Sequence, residues 1–518
     1  MKIRGFTITA NARLDGRSEL ANKLALKQSA TDDDLILHAY EAWGEDCVKH
    51  LIGDFAFAIR DDRTRRLFCA RDHFGVKPFF YALAGDELIF SNSLNEIRMD
   101  PRVSDTLNEI AIGDYLLFGV NQDLSTTTFK DIQRLPPGHT LTFAGGSIKI
   151  HPYWKPSIPR KIRFRDANDY VERFSELLAT AIQDRLGPDR VAVLMSGGLD
   201  STSIAAVARA KRHAFTVVYD NLIPDEERHY STIAANHLNI PITHLSADRY
   251  SLFEERIPGD MNQPEPFLLS PLTAQYNDLL RLCASHSRVA LTGYDGDAFM
   301  NEPGRWHFGI RSKLKRMFGK PSAEIALPEW IDESFAKRTR LLDRWKKSWN
   351  SRVDLASPAN PLWTALFEGY DRSVTKLDLE VRHPFIDVRL VEFLSAIPAH
   401  PWRVKKHILR LAMKDKLPPA IINRPKTPLA GNPALQLVRH ASVRWLDSFE
   451  VNPQLRDFVN LKLRPPVASE QTSDGLWANL RIFALNYWLT NSQPIVRRAT
   501  TNQVIDERTC MASVAQTA

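Results

Sequence analysis

Ser196-Gly197-Gly198-Leu199-Asp200-Ser201 is the stretch whose residue types and spacing point most directly to chemistry. Two glycines let backbone approach a ligand closely, and a helix start offers unpaired N–H groups to an anion. Two serines add hydroxyl donors. Asp200 alone would repel a phosphate. It makes sense as a magnesium ligand, the cation bridging carboxylate to phosphate. The bland reading is an ordinary Gly-rich strand-to-helix turn. No GxxxxGK[ST] occurs, so this is not the Walker loop.

Such a loop needs a sheet behind it. Val191-Ala192-Val193-Leu194-Met195 is a buried-strand pattern, and a helix is expected from Ser201 to Arg212. A strand at Phe215–Val218 precedes a helix from about Glu226 to Leu238, and a third apolar run, Val289-Ala290-Leu291-Thr292, ends in Gly293. Strands alternating with helices predict a parallel sheet with ligands at the carboxyl ends of its strands. Val171, Phe174, Leu177, Leu178 and Ile182 recur at helical spacing between Ala167 and Leu186. The first 150 residues read as β-rich instead. Runs such as Phe55-Ala56-Phe57-Ala58-Ile59 and Thr140-Leu141-Thr142-Phe143 alternate with turn signals such as Asp61-Asp62 and Gly145-Gly146. Pro156 to Arg165 has the composition of a linker, and the chain from about Pro328 onward is mostly helical in pattern.

The 518 residues favour two or three domains. Hydrophobic residues at 44% and charged residues at 25% are ordinary globular composition, which argues against wholesale disorder. Cys47, Cys69, Cys283 and Cys510 form no CxxC pair, so a disulfide scaffold or a cysteine-rich zinc site is not expected. No apolar run approaches the roughly 18 residues of a membrane span, and Met1-Lys2-Ile3-Arg4-Gly5 lacks the apolar stretch of a signal peptide. A cytoplasmic protein is expected. Lys plus Arg total 68 against 61 Asp plus Glu, a formal charge of +7. Without a concentrated basic motif, that excess suits a pocket for an anion better than a nucleic-acid face.

SGGLDS resembles the pyrophosphate loop of ATP pyrophosphatases, which split ATP into AMP and pyrophosphate while adenylating a substrate. Leu291-Thr292-Gly293-Tyr294-Asp295-Gly296-Asp297 is similar to that family's second metal-carboxylate loop. Leu379-Glu380-Val381-Arg382-His383-Pro384-Phe385-Ile386-Asp387 resembles the ExRxPFxD segment of asparagine synthetases, and Lys406-His407-Ile408-Leu409-Arg410 their KxxLR segment. Gly53-Asp54-Phe55, Arg71-Asp72, Gly75-Val76-Lys77-Pro78 and Arg134-Leu135-Pro136-Pro137-Gly138 look like the amidotransferase domain of the same superfamily. The resemblance implies a truncated N-terminal α+β Ntn-hydrolase-like sandwich over residues 1–155 and a linker at 156–166. A parallel-sheet α/β ATP-pyrophosphatase domain with a helical C-terminal part would follow at 167–495, then a tail at 496–518. It implies ATP held by Ser196, Gly197, Gly198, Leu199, Asp200, Ser201 and Gly293, magnesium on Asp200 and Asp297, and Lys406 near the α-phosphate. Lys405 competes with Lys406 for that last role.

Departures from asparagine synthetase sharpen the expectation. The family's glutaminase uses a cysteine directly after the initiator methionine, where this chain has Lys2; a misplaced start codon is the alternative. Asn11 matches the glutamine-holding NGE segment, but its acidic position is Arg13, which reverses the charge. Glutamine hydrolysis is therefore expected to be absent. Tyr294 resembles the tyrosine of β-lactam synthetases, which works with a glutamate, here Glu380, to deprotonate the substrate's amine. Tyr294 as a packing residue and Glu380 as the partner of Arg382 are the plainer readings. Ala298 stands where an acidic residue usually follows. Arg305, Arg311, Lys313, Lys315, Arg316 and Lys320 form a solvated basic face or a cover over the site. Together these features resemble lasso peptide cyclases, which close a macrolactam by an intramolecular amine attack. A precursor peptide, a leader peptidase and a leader-binding protein are then the implied partners. The alternatives are an asparagine synthase, a β-lactam-synthetase-like enzyme with a small amino-acid-derived substrate, and a non-catalytic nucleotide-binding scaffold.

Overall fold

The computed structural model describes residues 2–3, 5–155, 161–187, 190–257, 259, 263–267, 270–294, 296–301, 326–350, 360–424, 431–440, 446–467 and 472–492. In the N-terminal half a six-stranded antiparallel sheet runs in the order Lys2–Ile3, Phe6–Asp15, Ile52–Asp61, Arg66–Arg71, His139–Ala144, Ser147–Pro152. A three-stranded sheet, Glu87–Ser91, Phe80–Ala84 and Ile132–Arg134, stands apart from it. The run Phe55–Ile59 is apolar at every position because both of its faces are covered. Phe55, Phe57 and Ile59 pack with Leu35 and Ile36 of the helix Asp32–Trp43, while Ala56 and Ala58 pack with Phe79, Tyr81 and Leu135. The result is the mixed sandwich the sequence leads one to expect.

Five parallel strands make the third sheet, in the order Ile242–Ser246, Lys211–Val218, Arg190–Leu194, Val289–Thr292, Glu380–Arg382. Arg190–Leu194 comes first in sequence yet lies in the middle. The chain winds outward on one side and then returns to the other, so the order reverses between Arg190–Leu194 and Val289–Thr292. Ligands of such sheets bind in the crevice outside the strand ends at this reversal. The loops leaving these two strands are Ser196–Ser201 and Gly293–Asp297, with Leu194 opposite Thr292 in register.

Details depart from the sequence expectation. The helix after the loop is Leu199–Val207, and the next strand starts at Lys211, so the segment expected to be helical to Arg212 already belongs to the sheet. The amphipathic helix is Ala167–Gln183, capped by Asp166, whose carboxylate accepts from the Asn168 N–H. The helical pattern expected from about Pro328 begins as two short helices, Glu333–Arg338 and Leu341–Asn350, with Arg340 left-handed between them. The basic cluster from Arg305 to Lys320 and the tail 496–518 lie outside the described residues, as does part of the linker. No described helix is long and apolar enough to cross a membrane. The halves share a core: Phe74 and Val76 belong to the same cluster as Phe174, Phe299, Trp363 and Ile386.

Candidate active site

Glycines bring the two loops into contact. Gly197 has φ +72°, and a Cβ there would fall 2.4 Å from the Ser231 backbone nitrogen. A Cβ on Gly293 would fall 2.6 Å from the backbone nitrogen of Ser201, and one on Gly296 would lie 2.7 Å from the Asp200 carboxyl carbon. At Gly197 and Gly293 the close atoms are backbone and exclude a side chain, whereas at Gly296 the Asp200 side chain would have to move. The loop is braced from within, because the Ser196 N–H donates to Ser201 Oγ at 3.3 Å. From the C-terminal part, Arg424 stacks 4.0 Å over the Tyr230 ring and donates to the Ser196 carbonyl at 3.4 Å. From sequence Arg424 belongs to the segment after KxxLR and carries no role of its own.

Lys406 is the lysine that turns inward. Lys405 and Lys406 are both left-handed, at φ +50° and +58°, and this double twist leaves Lys405 exposed and Lys406 9% exposed. The Lys406 ammonium bonds both the Asp200 carboxylate and, at 2.6 Å, Asp297 Oδ1. Asn301 Nδ2 donates to the same Asp297 oxygen at 2.7 Å. One cation therefore already sits between the two carboxylates expected to hold magnesium. The donors are hard oxygens, which suit that ion. No group of three or more His, Cys, Asp or Glu that could hold a metal exists among the described residues. A two-carboxylate site fits magnesium arriving with phosphate oxygens as its other ligands.

In register, Glu380 lies opposite Val289 and Arg382 opposite Leu291, so Glu380 is at the end of its strand remote from the loop. Lys77 Nζ bonds its Oε1 at 2.8 Å, and Arg382 Nε bonds its Oε2 at 2.9 Å. Burial works against the charge, yet Lys77 and Arg382 outweigh it and hold the carboxyl far below its ordinary value. Glu380 thus pairs with Arg382, the plainer of the two sequence readings, and through Lys77 bridges to the N-terminal half. Level with the loop is His383, whose Nδ1 lies 2.8 Å from Thr292 Oγ1. Burial pushes its imidazole down to about 4, so it is neutral near pH 7. The Tyr294 ring lies 6.5 Å from His383 and 6.2 Å from Tyr370, and the two phenols are hydrogen-bonded. Burial first, then the neighbouring Tyr294, raises the Tyr370 phenol well above its ordinary value. His383, Tyr370 and Lys77 were not assigned roles from sequence, because only the strand register reveals them.

In the N-terminal half, Arg13 is 8% exposed. Its Nη2 donates to Asp54 at 2.8 Å, and it also bonds Asp15. Arg185 bonds Asp15 at 3.1 Å and Asp387 at 2.8 Å, and Arg389 bonds Asp387 and Asp184. Burial disfavours the Arg13 charge, but Asp54 and Asp15 more than compensate and raise its pKa. The Arg13 guanidinium is thus held on both sides by carboxylates of its own sheet. Cys47, Cys69 and Cys283 are all buried, and burial raises each thiol, that of Cys283 to about 12.

A family model described as asparagine synthase matches residues 173–458, more than half of the chain, and one described as a glutamine amidotransferase domain matches residues 13–154. The chain belongs to the asparagine synthase family. It is 27% identical to asparagine synthetase [glutamine-hydrolyzing] 3 of Bacillus subtilis over 470 residues, covering 82% of this chain and 75% of that protein. With asparagine synthetase [glutamine-hydrolyzing] 2 of the same organism it shares 26% over 462 residues, 77% of this chain and 59% of the relative. A putative asparagine synthetase [glutamine-hydrolyzing] 2 of Methanocaldococcus jannaschii is 31% identical over 222 residues, 41% of this chain and 43% of the relative. As a member of this family the chain is a ligase, and the residue pairs Asp200–Lys406 and Asp297–Lys406 lie within its synthase portion.

Proposed function

We propose that this ligase adenylates a carboxylate and joins it to an amine that does not come from glutamine. The observation that carries this reading is the joint state of the two halves. Asp200, Asp297 and Lys406 converge at the switch point, while Arg13 fills the N-terminal site. In the first step a substrate carboxylate oxygen bonds the α-phosphorus of ATP and pyrophosphate leaves. Backbone N–H groups at the start of Leu199–Val207 hold phosphate oxygens, and Asp200 and Asp297 would hold magnesium, which neutralises charge on the leaving pyrophosphate. Lys406 then exchanges its carboxylates for the α-phosphate and the developing oxyanion. In the second step the amine attacks the acyl carbon, AMP leaves, and the amine's proton passes to the protein. Tyr294, bonded to Tyr370 and beside neutral His383, stands at the loop where that proton would go.

At the level of substrate, the reading is a macrolactam-forming lasso peptide cyclase. A precursor peptide would supply both carboxylate and amine, with a leader peptidase and a leader-binding protein as partners. The likeness to asparagine synthetases over 82% of the chain favours a second reading, asparagine formation from aspartate and free ammonia. Pyrophosphate and AMP are followed with ATP and magnesium, offering aspartate plus ammonium and then peptides with free N-termini. A product lighter than its peptide by one water supports the cyclase. Asparagine replaces it with the synthase.

A further inference from the structure

Lys77 reaches out of the N-terminal half and bonds Glu380 Oε1 at 2.8 Å, with the Lys77 side chain 12% exposed and that of Glu380 25%. The turn that carries Lys77 is held by other bonds. Asp72 accepts from the backbone N–H groups of Phe74, Val76 and Lys77 at 3.1, 3.0 and 2.9 Å, and Arg71 Nε donates to the Lys77 carbonyl at 2.8 Å. A braced turn therefore presents the ammonium to a carboxylate of the other half. Taking both charges out of water costs about as much as their attraction returns, so what the bridge positions explains it better than stability does. Glu380 opens a segment that runs to the site. Arg382 Nη1 donates to the carbonyls of Arg185 and Leu186 at 3.0 and 3.2 Å, and Arg185 bonds the Ile386 carbonyl at 3.0 Å and Asp387 at 2.8 Å. Segment Glu380–Asp387 is thus gripped at its start by Lys77 and at its end by Arg185, which in turn bonds Asp15 of the N-terminal sheet. Between the two grips stands His383. Its Nδ1 lies 2.8 Å from Thr292 Oγ1, and the same oxygen accepts the Tyr294 N–H at 3.4 Å. A shift at Glu380 therefore passes along three residues to His383, and from there through two hydrogen bonds to Tyr294.

We propose that Lys77 is a positioning residue of the ligase site: through it the N-terminal half fixes segment Glu380–Asp387 and, by way of His383 and Thr292, the backbone of Tyr294. Its effect on amine attack rests on the proposed ligation, and one readout is independent of that reading. Full-length wild type and Lys77→Met are compared by hydrogen–deuterium exchange. Glu380 keeps Arg382 in the variant, so no carboxylate is left unpaired and the fold should persist. Exchange in peptides spanning Thr292–Tyr294 should rise by roughly 10-fold, with the strand Arg66–Arg71 unchanged. ATP–pyrophosphate exchange, which reports adenylation, should stay within roughly 2-fold of wild type while amide formation slows by roughly 10-fold, because the reacting groups are misplaced. Lys77→Arg, which keeps the charge, should restore most of that rate. Adding Lys77→Met to Glu380→Gln should cost little more than Glu380→Gln alone, since the lysine acts through that carboxylate. Unchanged exchange at Thr292–Tyr294, or a rise shared with Arg66–Arg71, overturns the positioning of the loop. Faster exchange there with both half-reactions slowed equally, or neither, overturns the role in amine attack. A wild type giving neither pyrophosphate exchange nor product with any substrate sinks the ligase reading, and the hydrogen exchange still decides whether Lys77 holds the loop.

Discussion

Two groups of paired charges, one joining the N-terminal half to the second and one within the second half, are built differently. In the N-terminal group Arg13 is shared by Asp15 and Asp54, and Arg185 ties Asp15 to Asp387, with every side chain at most 9% exposed. In the C-terminal group one ammonium, Lys406, serves two carboxylates, and the Asp297 side chain is 40% exposed. A buried multi-ion network is costly to break and has no room for a ligand. A single flexible ammonium at a half-open carboxylate pair can exchange for another cation. The comparison teaches that counting conserved-looking charges does not locate an active site; how many partners each charge already has does.

Substitutions separate the two groups. Asp200→Asn should lower pyrophosphate release by roughly 10³-fold, since metal-held charge stabilisation contributes several kcal/mol, while the melting temperature holds. Arg13→Met should do the reverse. Stripping the counter-charge from buried Asp15 and Asp54 costs about 3–5 kcal/mol of stability, read by chemical denaturation, with turnover per folded molecule preserved. If Arg13→Met instead abolished turnover without destabilising the fold, the division between the groups would fail. Lys406→Met should tighten Mn2+ binding without nucleotide by roughly 10-fold, seen by electron paramagnetic resonance, because the competing ammonium is gone. Turnover should fall at the same time, and Lys406→Arg should restore weak metal binding. The smallest effect concerns pH. Glu380 and Asp387 titrate below their ordinary 4.5 and 3.8. Their contribution to stability is full above those values and is lost as pH falls below them, because the unfolded chain then binds more protons. Glu380→Gln should lower the neutral plateau of a denaturation profile and flatten its acid limb below pH 4.5, so that variant and wild type converge as the pH falls.

Much of this was legible in the sequence, for identifiable reasons. Ser196–Ser201 and the loop opened by Gly293 announce themselves because close backbone approach permits only glycine at Gly197 and Gly293. Arg13 was legible as a charge reversal, although its relation to Arg185 and Asp387 needed the chain folded across some 370 positions. The bond from Lys77 to Glu380 was not legible, because a motif gives spacing along one segment and says nothing about which distant segment packs against it. The choice between Lys405 and Lys406 depended on two consecutive left-handed residues, a backbone feature no composition foretells.

The most direct test runs glutamate release and pyrophosphate release side by side in one sample of wild-type protein with Mg·ATP. Glutamine, ammonium with aspartate, and candidate precursor peptides are supplied in turn. The account predicts pyrophosphate and AMP from ammonium or a peptide, with no glutamate formed from glutamine. Glutamate appearing from glutamine in step with pyrophosphate would contradict it, because a site filled by Arg13 could not have bound the amide donor.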